Sequence, residues 1–353
     1  GSGCVHTETL QLTITPITNA NFNVTNCGGY TWSSNGQTYT ASGTYTHVIG
    51  CHTNTLVLTI INTNTYNDTL IAGRCYIWPL DGMTYTNSGI YTYTTTNLQT
   101  GCAETYNLNL TITPGVSVRV KAMLAGPYDV NTGLMADSLR TRGLLPTIPD
   151  PIPAAVLAIS GNNAVVDWVT LELRSNINPA LILATKKALI QRDGDIVSNI
   201  DGHSAVSFAG FSNGMYHISL KHRNHLGVMT SASIMLDVCA SGILNFSNAN
   251  PVYIKPFVIN APRKQIGSVY ALWSGDANSN KNTKYNGASS DKDAVLFGVG
   301  IATPNAIGVG YRPEDVNMDG DTKYNGFNND RNVILNNVGV ATPNTIISQH
   351  TPN

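Results

Sequence analysis

The sequence is short of charge. Only 12% of its 353 residues are Asp, Glu, Lys or Arg, about half of the ~25% usual in a globular domain. Twenty basic against 21 acidic side chains leave a formal net charge of −1. That balance offers no phosphate-neutralising footprint, so nucleic acid is not an expected partner. Long apolar runs are missing too. No stretch approaches the roughly 18 residues of a transmembrane helix, and no membrane span is expected. Hydrophobic residues still make up 42% of the chain and are spread along it, which argues against disorder. With Lys and Glu scarce, the polar surface must come from Thr, Asn, Ser and Gly, a composition that suits a secreted protein.

The shortage is greatest in residues 1–114, where Glu8, Asp68, Arg74, Asp81 and Glu104 are the only charged side chains. Threonine takes their place, and its β-branched side chain favours a pleated, half-exposed surface. Apolar residues alternate in Leu10–Thr15, in Leu56–Ile60 and again in Leu108–Thr113. Period-two alternation predicts strands with one buried face.

These segments are copies. Each follows a Gly-Cys pair: Gly3-Cys4, Gly50-Cys51 and Gly101-Cys102. Upstream of the last two, Trp32, Gly36, Tyr39 and Gly43 recur 46 residues later as Trp78, Gly82, Tyr85 and Gly89. Two repeats of about fifty residues and the tail of a third make up the region. Units this small bury little core and call for staples. Each carries a cysteine near its start and one near its end, so Cys27–Cys51 and Cys75–Cys102 are expected as disulfides within repeats, in an extracellular setting. Cys4 matches the second cysteine of a repeat whose first half is missing. Either the chain continues upstream, or this strand completes a sheet in a neighbour, since a lone alternating strand is unstable. Cys239 has no counterpart in the repeats; a free thiol and a link to Cys4 both remain open.

The block around Cys27-Gly28-Gly29-Tyr30-Thr31-Trp32, Gly36, Thr38-Tyr39-Thr40 and Gly43-Thr44-Tyr45-Thr46, with its second copy, resembles the Thr-rich repeats of large surface proteins of Bacteroidota-type bacteria. The resemblance covers residues 3–114 and implies an exported or cell-surface protein built from small β-sandwich units. It implies no enzymatic activity.

Beyond Gly115 the composition becomes ordinary. Strands are expected at Val116–Lys121, Ala164–Arg174, Leu181–Arg192 and Met215–Lys221, separated by Asp-Gly and Asn-Gly turns. Tyr128–Arg142 fits a short helix or a loop, and Pro146–Pro153 fits no regular element. Residues 115–262 therefore read as an all-β sandwich. Lys121–Tyr128, Val166–Val169, Gln191–Asp195 and His222–Thr230 resemble a module of the same surface proteins, which implies no catalytic role. His222 and His225 invite a metal, but in a strand positions three apart face opposite sides. Hydrolase motifs are absent. A structural network pairing Arg192 or Arg223 with Asp193 or Asp195 is the expected use, and no enzyme is expected.

The most specific chemistry lies at the C-terminus. Residues 276–305 and 315–344 share fifteen of thirty identities. Asp276, Asn278, Asn280 and Asn282 in the first copy match Asp315, Asn317, Asp319 and Asp321 in the second. Oxygen-bearing side chains at alternate positions, with Gly320 sixth in the second loop, follow the first half of an EF-hand calcium loop. Position twelve is Gly287 or Gly326 instead of an acid, so Asp291 and Asp330, at position sixteen, are the expected closing carboxylates. Each should cap a short helix. The paired loops resemble dockerin-like calcium repeats, with calcium as the implied ion. The first loop, with fewer carboxylates, should bind it less tightly.

The expected architecture is mainly β: tandem small Ig-like β-sandwich repeats, a larger β-sandwich, and a C-terminal calcium-loop domain with short helices. The expected boundaries are 1–16 for the truncated repeat, 17–64 and 65–114 for the repeats, 115–262 for the sandwich and 263–353 for the calcium loops. Two function classes follow. One is a structural subunit of an extracellular fibre or adhesive layer that self-associates through edge strands. The other is a calcium-dependent adhesin or a carbohydrate- or partner-binding module such as a dockerin-like anchor, including a secreted enzyme's non-catalytic tail, with Tyr30, Trp32, Trp78 and Tyr91 as candidates for an aromatic groove unless the Trp side chains fill the repeat cores. Asp68-Thr69-Leu70 and Asp137-Ser138-Leu139 resemble an acidic-hydroxyl-apolar signal for O-glycosylation, which marks Thr69 and Ser138 on expected exposed loops.

Overall fold

Threonine-rich alternation does produce strands, and the fold is mainly β. The computed structural model describes residues 3–4, 6–14, 16–72, 75–113, 115–239 and 242–352. The first repeat consists of β1 (Thr18–Cys27), β2 (Tyr30–Thr31), β3 (Thr38–Tyr39), β4 (Gly43–Ile49) and β5 (His52–Ile61). Its sheet has the order β1-β5-β4, and β2 and β3 form a hairpin. In β5, Leu56 and Leu58 are buried and Val57 is exposed, as the alternation requires. They pack on Trp32, with Tyr39 and Tyr45 alongside. Gly43 lies under the Tyr45 ring, where a Cβ would meet the hydroxyl at 3.3 Å. Gly89 lies the same way under Tyr91, which explains why Gly-x-Tyr recurs.

The second repeat comprises β6 (Asn64–Ala72), β7 (Tyr76–Ile77), β8 (Thr84–Tyr85), β9 (Gly89–Thr96) and β10 (Ala103–Ile112), with sheet order β6-β10-β9. Leu108, Leu110 and Trp78 are buried. The third alternating segment behaves differently. Among its described residues none is in a strand, and Leu10, Leu12 and Ile14 are exposed; Thr15 lies outside the described residues. The difference is one of partners, because Leu56 and Leu58 are covered by a sheet and by Trp32, while alternation alone supplies neither.

The disulfide pairing departs from expectation. Cys27 is bonded to Cys102, so neither expected pair forms. The cause is strand direction. β1 runs parallel to β5, with Thr18 opposite His52 and Cys27 opposite Ile61. Cys51 therefore stands beside the start of β1 and Cys27 at its end. Nine residues of strand separate them by roughly 30 Å, far beyond the reach of a disulfide.

The following region contributes β11 (Gly115–Lys121), β12 (Tyr128–Asp129), β13 (Leu134–Met135), α1 (Ser138–Thr141), α2 (Ala154–Leu157), β14 (Val165–Ser175), β15 (Ile182–Gln191), β16 (Asp195–Val197), β17 (Val206–Ala209), β18 (Gly214–Lys221), β19 (Val228–Met229), β20 (Ile234–Leu236) and β21 (Ile243–Asn245). The order β17-β11-β16-β15-β14-β18-β19 forms one large sheet, to which β20 and β21 add at β18 and β11. β11 pairs with β17 through its first half and with β16 through its last residues. β14 is buried along nearly its whole length on both faces. Pro146–Pro153 carries no regular element.

Ser138 opens α1 and is half-buried, and Thr69 is exposed but sits within β6. Neither is on the expected loop. Asp137, beside Ser138, is already paired with Arg140.

The chain forms two compact units. The smaller contains Gly1–Ile71, Ile77–Met83 and Asn87–Thr111; the larger contains Ala72–Tyr76, Thr84–Thr86 and Ile112–Asn353. Residues 263–353 thus share a unit with the large sheet. No helix among the described residues is long and apolar enough to cross a membrane.

Candidate metal centres

Two Asp/Asn loops face each other near the C-terminus. After β22 (Lys264–Ile266) and β23 (Val269–Ala271), the first loop leads into β24 (Asn282–Lys284), α3 (Asp291–Val299) and β25 (Ile307–Val309). The second leads into β26 (Asp321–Lys323), α4 (Asp330–Val338) and β27 (Ile346–Ser348). The copies exchange strands: β24 pairs with β27, and β25 with β26. Ala277, Val295, Val316 and Ile334 form a small shared core. Helix starts are shifted by one residue from expectation. Ser290 and Asn329 are the N-caps, accepting from Asp293 N and Asn332 N, so Asp291 and Asp330 open their helices and point back into the loops.

Each loop is organised by two buried carboxylates. Asp276 accepts from the backbone N–H of Asn280 at 2.8 Å and of Lys281 at 3.0 Å. Asp291 accepts from Lys284 N at 2.7 Å and Asn278 N at 3.3 Å. In the second loop, Asp315 accepts from Asp319 N at 3.1 Å and Gly320 N at 2.9 Å. Asp330 accepts from Val316 N and Lys323 N, each at 2.8 Å. Asn278, Asn280, Asn317 and Asp319 each turn a side-chain oxygen onto the N–H two residues on. The Asn282 side-chain oxygen is buried without a hydrogen-bond partner.

Burial dominates the electrostatics. It pushes Asp276 and Asp315 up to about 6. Asp291 rises to about 7 through burial, with Asp276 adding repulsion, and Asp330 to about 8 through burial, with Asp315 adding repulsion. Two carboxyl groups held out of water and repelling each other form a site that a cation would relieve. Among the described residues no three His, Cys, Asp or Glu side chains cluster as a metal site. A cation here would draw on Asn side chains and backbone carbonyls as well, which are donors calcium accepts. Oxygen donors of this kind suit a hard divalent ion. In the first loop they are Asp276, Asn278, Asn280, Asn282 and Asp291, and in the second Asp315, Asn317, Asp319, Asp321 and Asp330.

The carboxylates that distinguish the second loop are engaged by cations. Lys323 Nζ lies 3.3 Å from Asp319 and 3.1 Å from Asp321. Arg142 pairs with Asp321 at 2.8 Å and donates to the Asp319 carbonyl at 2.6 Å. The sequence signal for Lys323 was local, but Arg142 arrives from a distant part of the chain.

The large sheet grips the same loops through a buried polar cluster. Asp167 accepts from Arg223 Nε at 3.0 Å and lies 3.0 Å from His222 Nε2. Burial alone would raise Asp167, but Arg223, His222 and Tyr311 hold its carboxyl down at about 2. Burial lowers His222 despite Asp167, so Arg223 is the lasting counter-charge. Arg223 also donates to the Arg312 carbonyl, and Asn224 donates to the carbonyls of Pro313 and Asp315. His222 and His225 are not on opposite faces: both follow the end of β18, and their rings are 4.8 Å apart. The expected partners also change. Arg223 pairs with Asp167, Arg192 lies 3.7 Å from Asp137, and Asp195 pairs with Lys121 at 3.2 Å.

Neither a protein-family model nor a curated protein matches the chain.

Proposed function

We propose that the chain is a structural element of an extracellular fibre or adhesive layer, a non-enzymatic stalk or subunit strengthened by disulfides and calcium. The observation that carries this reading is the Cys27–Cys102 bond, which joins the first β repeat to the second. Units whose own cores are small gain stability from a covalent link between them. The resemblance of residues 3–114 to bacterial surface repeats supports the same reading, as does a Thr-rich surface with few charges. Leu10, Leu12 and Ile14 are exposed in an alternating segment equivalent to Leu56–Ile60, and such a segment favours self-association by strand addition. Calcium at the C-terminal loops would set the rigidity of the larger unit.

An aromatic groove of Tyr30, Trp32, Trp78 and Tyr91 would favour the adhesin alternative. Trp32 and Trp78 are only 2% and 3% exposed, so they serve the repeat cores and leave that groove without its platform. Negative-stain microscopy of native material, kept in calcium without reductant, tests the proposal. Filaments or ordered arrays are expected. Isolated particles at every concentration would overturn it.

A further inference from the structure

The cysteine positions obey one geometric rule. In the first repeat, Cys27 closes β1 and Cys51 stands beside the start of that strand, where Thr18 N–H donates to its carbonyl at 3.3 Å. The second repeat has the same register. Asn107 donates to Asn67 at 2.9 Å, and Thr113 N–H donates to the Ala72 carbonyl at 3.0 Å, so β6 and β10 run side by side in one direction. Cys75 therefore lies just past the far end of its repeat, and Cys102 at the near end. The bond between Cys27 and Cys102 joins a far-end cysteine to the near-end cysteine of the unit that follows. The cysteines within one repeat stand at opposite ends of the strands and cannot meet.

Cys75 is the next far-end cysteine. It belongs to the Ala72–Tyr76 segment of the larger unit, which also contains Cys239. The two side chains share a hydrogen bond, and both are half-buried. Burial and the Cys75 sulfur push the Cys239 thiol up to about 12, consistent with two sulfurs held together away from water. Asp237, two residues before Cys239, accepts from the Cys239 N–H at 2.8 Å and fixes the turn that presents the thiol.

We infer that Cys75 and Cys239 form a second disulfide, which continues forward the connection made by Cys27 and Cys102. The oxidant is a thiol–disulfide oxidoreductase or a small-molecule disulfide. A thiolate of the pair attacks the oxidant's disulfide, forms a mixed disulfide and expels one thiolate of the oxidant. The remaining cysteine attacks the mixed bond and expels the other. Two thiols lose two protons and two electrons to make one S–S bond, and the oxidant's disulfide takes up both as two thiols. The bond does not depend on whether the chain assembles into fibres.

Its test is a non-reducing peptide map of the full chain, oxidised with glutathione disulfide and then alkylated. The expected map contains a Cys75–Cys239 cross-linked peptide beside the Cys27–Cys102 one. In the Cys75→Ser variant, Cys239 should become alkylated while Cys27–Cys102 persists. Cys75 recovered fully alkylated from the parent, or cross-linked to Cys102, would overturn the inference. So would equal alkylation of Cys239 in parent and variant.

Discussion

Cys27, the last residue of β1, is bonded to Cys102, the residue before β10. The bond closes a loop with a sequence separation of 75. In the chain-entropy account, closing a loop of that length stabilises the fold by roughly 4 kcal/mol. It also gives the chain a covalent path that bypasses everything from β2 to β9. Both consequences matter for units whose cores rest on a few residues such as Trp32, Leu56 and Leu58.

Calcium should stabilise the larger unit. An ion bound only by the folded loops adds about 2.7 kcal/mol at a hundredfold excess over its Kd. Asp291→Ala and Asp330→Ala should each remove much of that gain, since the extra carboxylates of the second loop, Asp319 and Asp321, are already paired with Lys323 and Arg142. Because either substitution also strips backbone N–H groups of their acceptor, the readout is each variant's Tm difference between calcium and chelator. Melting curves that do not change in excess chelator contradict the metal assignment.

The same gain should depend on pH. Asp276, Asp291, Asp315 and Asp330 bind protons more tightly folded than unfolded, because burial raises them to between about 6 and about 8. Without metal, the stability they contribute is complete below the ordinary carboxylate range and lost as pH rises through those values. Calcium needs the deprotonated loops, so it competes with protons. Calorimetry should find a small calcium-induced rise in Tm near pH 5 and a large one near pH 8. A rise that is equal at both contradicts the assignment of these carboxylates as ligands.

Asp167→Asn should be costly. It leaves the Arg223 guanidinium, with a side chain only 14% exposed, without its counter-charge. Breaking a buried ion pair from one side costs about 3–5 kcal/mol. Urea unfolding followed by Trp fluorescence should show that loss, and adding Arg223→Met should restore much of it. The depressed pKa of Asp167 has the opposite sign from the loop carboxylates. Its contribution is present above the ordinary carboxylate range and disappears as pH falls towards about 2. A loss under about 1 kcal/mol in the single variant would contradict the role given to the pair.

Local pattern made much of this legible in advance. Alternation marked β5 and β10 because burial of Leu56, Leu58, Leu108 and Leu110 follows directly from period two. The paired Asp/Asn loops were readable because their side chains lie within sixteen positions of one another. What escaped depends on distant register. The pairing of Cys27 follows from β1 lying parallel to β5, and no short motif encodes that. Arg142 reaches Asp321 from across the larger unit. His222 and His225 were misplaced because the strand ends before them, and past the end of β18 period two no longer applies.

Pulling a single chain from its two ends tests most directly whether the repeats form a covalently stapled array. In the Cys75→Ser variant, where the Cys27–Cys102 bond acts alone, the segment between those cysteines should add no length under non-reducing conditions, because the bond carries the force past it. Adding reductant should release roughly 250 Å more, the extended span of about 75 residues. Equal extension with and without reductant would contradict the account.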